Sequence, residues 1–258
     1  MSGTEAIVTV FRGPHQPDTE IAAKLQALET LLSEAAKEFA DLRLASSLAA
    51  EDNVLFDVVQ RLGLNIKTFT LETGRLNAET LAVLPALQAR YGKAPEAVKP
   101  VAAAVEQYVN AHGADAFYES IDLRKACCDV RKVEPLNRAL RGAQAWITGQ
   151  RRAQAATRKE LPVRENDDAR GITKFNPLSD WSEADIWTYI RRFDVPVNAL
   201  HFQGYPSIGC EPCTRAVTLG EDIRAGRWWW EDPANKECGL HAGNINRASS
   251  LQSPLKSA

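Results

Sequence analysis

The sequence has almost no excess of charge and no long apolar run. Its 258 residues include 31 lysines and arginines against 33 aspartates and glutamates, a formal net charge of −2. A global basic field that would attract nucleic acid or an anionic membrane is absent, so we expect neither partner and look for a local anion site. No apolar stretch approaches the roughly 20 residues of a membrane-spanning helix. The first residues lack the basic and apolar regions of a signal peptide, and we therefore expect a cytoplasmic protein.

Cysteine is scarce and odd in number. There are five cysteines in the chain, and hydrophobic residues make up 45% and charged residues 25% of it. This composition is ordinary for a globular protein with a well-buried core. Disulfide bonds are rare in a reducing compartment, where cysteines more often serve metal or redox chemistry. The five cysteines are therefore candidates for a functional site.

Short apolar segments alternate with segments of helical periodicity. Strands are predicted at Leu42–Ser46, Ile66–Leu71 and Ala145–Thr148. Helices are predicted over Asp18–Phe39, Asp52–Leu62, Ala78–Tyr91, Val101–Asn110, Leu123–Leu140 and Trp181–Arg192, the fifth kinked or divided at Pro135 and the last capped by Ser179 or Ser182. This alternation predicts an α/β fold with a mostly parallel sheet and helices on both faces. Ligands bind such sheets at the carboxyl ends of the strands.

The residue composition and periodicity of the sequence change along the chain. Residues 1–40 are predicted to form an N-terminal arm and helix, 41–200 the α/β domain, and 201–258 a cysteine-bearing active-site segment with a flexible tail, all within one domain overall. Residues 151–170 are polar and rich in arginine, which predicts a loop. Beyond Pro196 glycine, proline, cysteine and tryptophan dominate with little periodicity, which is typical of a segment organised around a site.

Four of the cysteines form two pairs, Cys127-Cys128 and Cys210-Glu-Pro-Cys213. Four thiolates suit either a structural zinc ion or a four-iron cluster. Adjacent cysteines favour the cluster, because neighbouring side chains diverge and can each reach a different iron. Two other interpretations stay open: Cys127 and Cys128 could be buried core residues, and the Cys-x-x-Cys pair could be a redox dithiol.

The fifth cysteine, Cys238, has no partner among the other four. Only a thiolate is nucleophilic, and nearby cations lower the pKa of a thiol. Lys236 and His241 are close in sequence and could supply that charge, while Gly239 allows the backbone to present the sulfur. Cys238 is thus a candidate nucleophile, and the alternative is an idle exposed thiol.

Taken together, these motifs resemble those of the assimilatory adenylylsulfate reductases, the iron–sulfur type of the phosphoadenylylsulfate reductase family. The resemblance rests on Lys-Ala-Cys127-Cys128-Asp-Val-Arg-Lys132-Val-Glu-Pro-Leu, Trp146-Ile-Thr-Gly-Gln-Arg151-Arg152, Cys210-Glu-Pro-Cys213-Thr-Arg and Glu-Cys238-Gly-Leu-His241, with Ser46-Ser47 and Leu71-Glu-Thr73-Gly74-Arg75 in the nucleotide-binding half. It extends from about residue 40 to residue 241.

The resemblance implies an adenine nucleotide α-hydrolase-like fold and one [4Fe-4S] cluster per chain on the two cysteine pairs. It also implies that Cys238 attacks the sulfur of adenosine 5'-phosphosulfate, releases AMP, and carries a thiosulfonate that thioredoxin or a similar dithiol converts to sulfite. Such a reaction belongs to sulfate assimilation and cysteine biosynthesis. We also expect a homo-oligomer.

Basic residues must hold the negative charge of the sulfonyl and phosphate groups during this reaction. The family pattern assigns that role to Lys132, Arg224 and Arg227, with His241 beside the nucleophile. For substrate binding it indicates Leu71, Thr73, Gly74 and Arg75, with Ser46 and Ser47 at a strand end before a helix. Arg151 and Arg152 follow the strand end at Gly149 and are candidates either for substrate contact or for ordering the next loop. The loop after Ser47 departs from a glycine-rich phosphate cradle, because Leu48 and Ala49 occupy positions where glycine would ease close approach.

Three alternatives have distinct signatures. A reductase of the 3'-phosphorylated nucleotide usually lacks the four cluster cysteines. A tRNA thiolation enzyme needs a pyrophosphatase loop rich in Gly and Ser, which the stretch at Ser46 does not supply. A zinc-stapled interaction module would be colourless and would have no use for Cys238. The run Trp228-Trp229-Trp230 is expected to pack against the fold or a neighbouring subunit rather than stack on bases.

Overall fold

The computed structural model describes residues 18–154, 160–218 and 220–232. In these residues strands and helices alternate along the chain. The strands are β1 (Leu42–Ser46), β2 (Lys67–Leu71), β3 (Glu96–Val98), β4 (Ala145–Ile147), β5 (Arg164–Asp167) and β6 (Ile172–Phe175). The α-helices are α1 (Asp18–Glu38), α2 (Ala50–Arg61), α3 (Ala78–Leu81), α4 (Val83–Tyr91), α5 (Ala102–His112), α6 (Ile121–Cys128), α7 (Glu134–Ala139) and α8 (Glu183–Phe193).

The strands form one sheet in the order β3-β2-β1-β4-β6-β5. All neighbouring pairs are parallel except β5 and β6, which are antiparallel. From the central strand β1, the chain moves outward to β2 and β3 on one side and to β4 on the other. This reversal is a topological switch point, and it opens a crevice at the carboxyl ends of β1 and β4.

Two apolar layers cover the two faces of the sheet. On β4, Ala145 and Ile147 join the core formed with α1, α2 and α8, whereas Trp146 between them packs with Phe69 and Leu136 on the other face. Successive strand residues point to opposite faces, so a strand buried on both sides has to be apolar throughout. The predicted mostly parallel α/β sheet with helices on both faces is confirmed.

Helix α8 begins with a capping box. The Asp185 amide donates to Ser182 Oγ at 3.1 Å, and the Ser182 amide donates to Asp185 Oδ2 at 2.8 Å. Each hydrogen bond satisfies an amide that the first helical turn leaves without a partner. Ser182 is therefore the cap, and Ser179 is not.

The helix predicted over Leu123–Leu140 is divided, as expected from Pro135. Helix α6 ends at Cys128, a π-helical turn covers Asp129–Val133, and Pro135 lies in the first turn of α7. Proline lacks an amide proton and cannot bond the carbonyl four residues earlier. The Glu134 amide instead bonds the Asp129 carbonyl, five residues back, and this wide turn follows directly after the cysteine pair.

Three predictions about local structure were wrong. Residues 151–170 are not a loop throughout, because they include β5, a polar edge strand paired with β6. Strands β3 and β6 were missed, since they have only three and four residues. The helix over Ala78–Tyr91 is interrupted at Ala82, between α3 and α4.

None of the helices in the described parts of the chain is both long and apolar enough to cross a membrane.

Candidate active site

A cleft of about 260 Å³ opens at the carboxyl ends of the central strands. The loops after β1, β2 and β4 form one wall, and residues from the irregular C-terminal part form the other. The residues that line the two walls include Ser47, Thr73, Gly149, Cys210, Arg224 and Arg227. The cleft therefore combines the switch point of the sheet with the cysteine-bearing segment.

The loop after β1 is held by Asp52. This buried carboxylate accepts hydrogen bonds from the Ser47 amide at 2.6 Å, the Ser47 hydroxyl at 2.5 Å and the Gly149 amide at 3.0 Å. Burial raises the pKa of Asp52 to about 6 in spite of these bonds. A Cβ at Gly149 would lie 2.3 Å from Asp52 Oδ1, so only glycine permits this approach of β4 to α2.

Ser46 and Ser47 both line the cleft, but the nearby amides already have acceptors. Ser46 Oγ accepts from the Leu48 amide at 3.1 Å, and Ser47 Oγ lies 3.4 Å from the Ala49 amide. Leu48 has a φ of +62°, a left-handed conformation that is costly for a leucine. The Ser46 hydroxyl, more than a row of unused amides, is therefore the hydrogen-bond donor of this loop in the cleft lining, because the Ser47 hydroxyl donates to Asp52.

Arg151 lines the cleft with its charge engaged by a protein carboxylate. Its Nη2 lies 2.8 Å from Glu51 Oε1, which also accepts from Gln154 Nε2 at 3.0 Å. Both partners are buried, at 4% and 13% side-chain exposure. Burial opposes ionisation of Glu51, but Arg151 outweighs it and lowers the pKa of that carboxyl. Arg152 points elsewhere, donating to the Leu161 carbonyl at 2.6 Å.

The segment after β2 divides between the cleft and a second cavity. Leu71 and Thr73 line the cleft, and Thr73 Oγ1 lies 3.3 Å from Cys210 Sγ. At Gly74, with φ +72°, the chain turns away. Arg75 then pairs with Asp115 at 2.5 Å and lies over the Phe117 ring, 5.5 Å from its centroid. Gly74 and Arg75 are thus not in the lining of the cleft.

The second cavity, here called the cysteine pocket, is lined by both cysteine pairs. Its cysteines are Cys127, Cys128, Cys210 and Cys213, and its basic residues are Arg75, Arg124, Arg131 and Lys132. Helix α6 delivers the first pair at its end. The second pair is docked through a hydrogen bond from the Glu211 amide to the Arg75 carbonyl at 2.8 Å. Among the described residues no three or more His, Cys, Asp or Glu side chains are arranged to hold a metal ion.

The thiols of the cysteine pocket differ in acidity. Burial acts to raise the pKa of Cys210, but Lys132, Thr73 and Arg227 outweigh it and the pKa is lowered. Burial raises the pKa of Cys213 to about 12 and also raises that of Cys127. Of these three thiols, Cys210 is therefore the one whose thiolate form the cations favour, and it also lines the cleft.

Lys132 and Cys210 line both cavities, so they form the wall between them. Arg227 lies beside this wall and donates to the Ile208 carbonyl at 3.1 Å, with its guanidinium against Gly209, where a Cβ would be 2.3 Å from Nη2. Arg224 lines the cleft nearby. The three cations expected to hold substrate charge thus all belong to the lining of the cleft.

Two other basic residues of the site were missed in the sequence. Arg131 donates to the Thr73 carbonyl at 2.8 Å, and Arg124 is buried against Trp228 and Glu231. Their signal was present, because both flank the cysteine pair at helical spacing. Cys238 and His241 lie outside the described residues.

The sheet order and the position of the cleft define an α/β protein with a cleft at the switch point of a mostly parallel sheet. The crystal structure of FMN adenylyltransferase from Candida glabrata, in complex with FAD and inorganic pyrophosphate, has this fold. It aligns with a TM-score of 0.55 at 13% identity over 88% of this chain and 79% of that chain. At this identity the likeness concerns the fold alone.

The sequence comparisons define the family within this fold. The phosphoadenosine phosphosulfate reductase domain matches residues 41–216. The adenosine 5'-phosphosulfate reductase of Burkholderia cepacia is 56% identical over 226 residues, 88% of this chain and 90% of that protein. The crystal structure of phosphoadenylyl-sulfate reductase from Candida auris, a phosphate complex, aligns with a TM-score of 0.63 at 28% identity over 74% of this chain and 90% of that chain. The chain is an enzyme of the phosphoadenosine phosphosulfate reductase family.

Proposed function

We propose that this chain reduces adenosine 5'-phosphosulfate to sulfite and AMP, with Cys238 as the nucleophile. The observation that carries the proposal is the shared wall of the two cavities. Lys132 and Cys210 join a cleft at the nucleotide-binding edge of the sheet to a pocket lined by four cysteines. A sulfonucleotide in the cleft would direct its negative groups toward Lys132, Arg224 and Arg227.

The residues of the cysteine pocket fit a [4Fe-4S] cluster. Four thiols from two segments line one cavity, which is the ligand set that such a cluster requires. Four basic side chains line the same cavity and would balance the charge of four thiolates. When bound, the cluster would supply negative charge and a fixed geometry around Lys132 and Cys210. Zinc fits less well, because one tetrahedral ion needs all four sulfurs within about 2.3 Å of one point.

The first chemical step is attack of the Cys238 thiolate on the sulfur of the substrate. A bond forms between the two sulfur atoms, the bond from sulfur to the bridging phosphate oxygen breaks, and AMP leaves with the electron pair. Lys132, Arg224 and Arg227 would stabilise the charge that develops on sulfonyl and phosphate oxygens. Lys236 and His241 are close to Cys238 in sequence and would favour its thiolate form.

The second step releases sulfite. A dithiol protein such as thioredoxin attacks Cys238 Sγ, the sulfur–sulfur bond breaks, and sulfite departs with the electron pair. The second thiol of the donor then displaces Cys238, so the donor ends as a disulfide and Cys238 as a thiol. Two electrons pass from the dithiol to sulfur, which balances the conversion of sulfate to sulfite in sulfate assimilation and cysteine biosynthesis.

The cleft supports roles for the other predicted residues. Ser46 offers its hydroxyl to a phosphate, Ser47 holds the loop by donating its hydroxyl to Asp52, and Leu71 and Thr73 line the space for the nucleoside. Arg151 acts by holding Glu51 and the β1 loop, since its guanidinium is already engaged. Arg152 donates to the Leu161 carbonyl, outside the lining of the cleft. Cytoplasmic location and a homo-oligomer stay predictions.

The 3'-phosphorylated nucleotide is the rival substrate. The Burkholderia cepacia relative, named for the unphosphorylated substrate, is 56% identical, whereas the Candida auris enzyme, named for the phosphorylated one, is 28% identical. The cysteine pairs and this difference in identity favour adenosine 5'-phosphosulfate.

The test is an anaerobic assay of sulfite release with each nucleotide and reduced thioredoxin. We expect turnover with adenosine 5'-phosphosulfate, little with the 3'-phosphorylated analogue, and none in Cys238→Ser. Asn244→Ala, in the same stretch of sequence, is the control and should behave as the wild type. Full turnover by Cys238→Ser would disprove the role of the nucleophile.

The cluster has a separate test. Anaerobically purified protein should be brown and contain about four irons per chain. Cys210→Ser should lose iron, whereas Cys238→Ser should retain it. A colourless protein loaded with zinc would instead support the interaction module and contradict the cluster.

A further inference from the structure

The last described residues of the chain are tied by a buried ion pair to α6, here called the cysteine helix because it ends at Cys127 and Cys128. Arg124 Nε lies 2.7 Å from Glu231 Oε1, and Arg124 Nη2 lies 2.9 Å from Glu231 Oε2. The two side chains are 1% and 4% exposed. Two parallel hydrogen bonds between a guanidinium and a carboxylate fix both distance and orientation.

Trp228 completes this contact. Its fully buried ring lies beneath the guanidinium groups of Arg124 and Arg227, whose central carbons are 4.7 and 4.8 Å from the ring centroid. The Trp228 amide donates to the Cys213 carbonyl at 3.1 Å, and the Glu231 amide donates to the Trp228 carbonyl at 2.9 Å. Trp228 has a φ of +41°, a strained conformation for a bulky residue that persists only where surrounding contacts impose it.

Arg124 is also linked to the cysteine pocket. It precedes Cys127 and Cys128 by one helical turn, lines the pocket, and hydrogen-bonds the Cys128 thiol. One guanidinium therefore contacts a cysteine of the proposed cluster site and the carboxylate at the end of the described chain. Arg124 and Glu231 are 107 positions apart in the sequence.

We infer that the Arg124–Glu231 pair is a positioning clamp for the nucleophile, an inference that rests on the proposed role of Cys238. Cys238 follows Glu231 by seven positions (238 − 231 = 7). Seven residues reach at most roughly 25 Å, so an anchored Glu231 sets an upper limit on the distance between the Cys238 sulfur and the ion pair. Arg124 and Glu231 do not touch the substrate; they act by fixing where the segment begins.

The clamp is tested in the iron-loaded protein with Glu231→Gln and Arg124→Lys, which keep the size of the side chain and weaken the bidentate pair. Glu221→Gln is the matched control. It breaks a second bidentate pair, Arg215–Glu221, in the same irregular segment, but that pair is 37% and 30% exposed and lies outside the cysteine pocket. The double variant of Arg124 and Glu231 completes a mutant cycle.

Hydrogen exchange gives the readout that is independent of chemistry. We expect backbone amides in the peptide covering residues 227–232 to exchange about 10- to 100-fold faster in Glu231→Gln than in the wild type or Glu221→Gln. Unchanged exchange would overturn the clamp.

Single-turnover formation of the sulfonate adduct on Cys238, followed by mass spectrometry, gives the functional readout. At saturating nucleotide we expect it to slow about tenfold in either single variant, with nucleotide affinity unchanged in both and iron content unchanged in Glu231→Gln, which leaves the lining of the cysteine pocket intact. The double variant should cost little more than either single one, because the contact is already broken. An unchanged rate, or additive effects, would overturn the positioning role. Faster exchange in Glu231→Gln, with no adduct even in the wild type, would instead refute the proposed function and leave the anchor intact.

Discussion

The cleft and the cysteine pocket share a wall but distribute charge differently. The lining of the cleft contains carboxylates as well as cations. Glu51 forms an ion pair with Arg151, and Asp52 accepts hydrogen bonds from the Ser47 and Gly149 amides. The described residues that line the cysteine pocket include four thiols and four basic side chains but no carboxylate. Of these four, Arg75 and Arg124 reach carboxylates outside the lining, Asp115 and Glu231.

This difference separates residues that hold shape from residues suited to hold a ligand. A buried charge has to be compensated, so a carboxylate beside it marks a group whose partner is supplied by the fold. Where cations gather around thiols without carboxylates in the lining, thiolates or a bound anion would complete the balance. The comparison therefore indicates an architectural role for Arg151 and supports the proposed role of Lys132 in the chemistry.

The strongest test of this comparison is Lys132→Ala. Removing one preorganised cation from the transition state should lower kcat about 100- to 1,000-fold. The control is Lys125→Ala, an exposed lysine on α6, which should retain normal turnover. Steady-state sulfite release together with iron content measures both. Normal kcat in iron-loaded Lys132→Ala would contradict the assignment.

Arg151→Ala should act on stability before it acts on turnover. It leaves the buried Glu51 carboxylate without its cation, which costs about 3 kcal/mol of unfolding free energy. Chemical denaturation measures this, with the half-buried neighbour Arg152→Ala as the control at less than about 1 kcal/mol. A fully stable Arg151→Ala that has lost nucleotide affinity would show instead that Arg151 contacts the substrate.

Asp52 predicts a pH dependence of stability. Its folded pKa of about 6 lies above the ordinary value of 3.8, so the folded state binds the proton more tightly than the unfolded state. Stability from this group is therefore gained as the pH falls through 6 and lost as it rises. Between pH 7 and pH 5 the wild type should gain about 1 kcal/mol relative to Asp52→Asn. Because both proteins contain Glu51 and Arg151, these residues do not contribute to the difference. Parallel profiles of unfolding free energy against pH for the two proteins would disprove the prediction.

The smallest effect is expected at a surface pair. Glu134 and Arg138 are four apart on α7, with their side chains 47% and 39% exposed. Glu134→Gln should change the free energy of unfolding by at most about 0.5 kcal/mol and leave turnover unchanged, because solvent screens the pair. A larger loss would mean that the turn at Pro135 depends on this contact.

The long, periodic elements were predictable from sequence, and the short ones were not. Helices α1 and α8 and strands β1 and β2 were located to within a few residues, because their apolar pattern persists over a full element. Strands β3 and β5 lie at the edges of the sheet, where one side needs no apolar cover, so their pattern is weak. The break at Pro135 was expected, but the π-helical turn before it was not. Its form depends on which amides donate hydrogen bonds to the carbonyls that precede the proline.

The sequence indicated residues that share a lining, but it did not give their arrangement. Lys132, Arg224 and Arg227 all line the cleft, and their role in holding substrate charge stays a prediction. Arg75 faces the cysteine pocket instead of the cleft, and the engagement of Arg151 by Glu51 has no signature in the sequence. These outcomes depend on which side chain of a distant element arrives opposite.

The sequence by itself determined the α/β alternation, the two cysteine pairs and the odd fifth cysteine, because each is a matter of residue type and spacing along one stretch of chain. Only the tertiary structure decided which cations face the thiols, which are neutralised by the fold, and that Arg124 meets Glu231 across 107 positions. Electrostatic pairing depends on distances through space, and these are set by packing of the sheet, the cysteine helix and the irregular C-terminal part together.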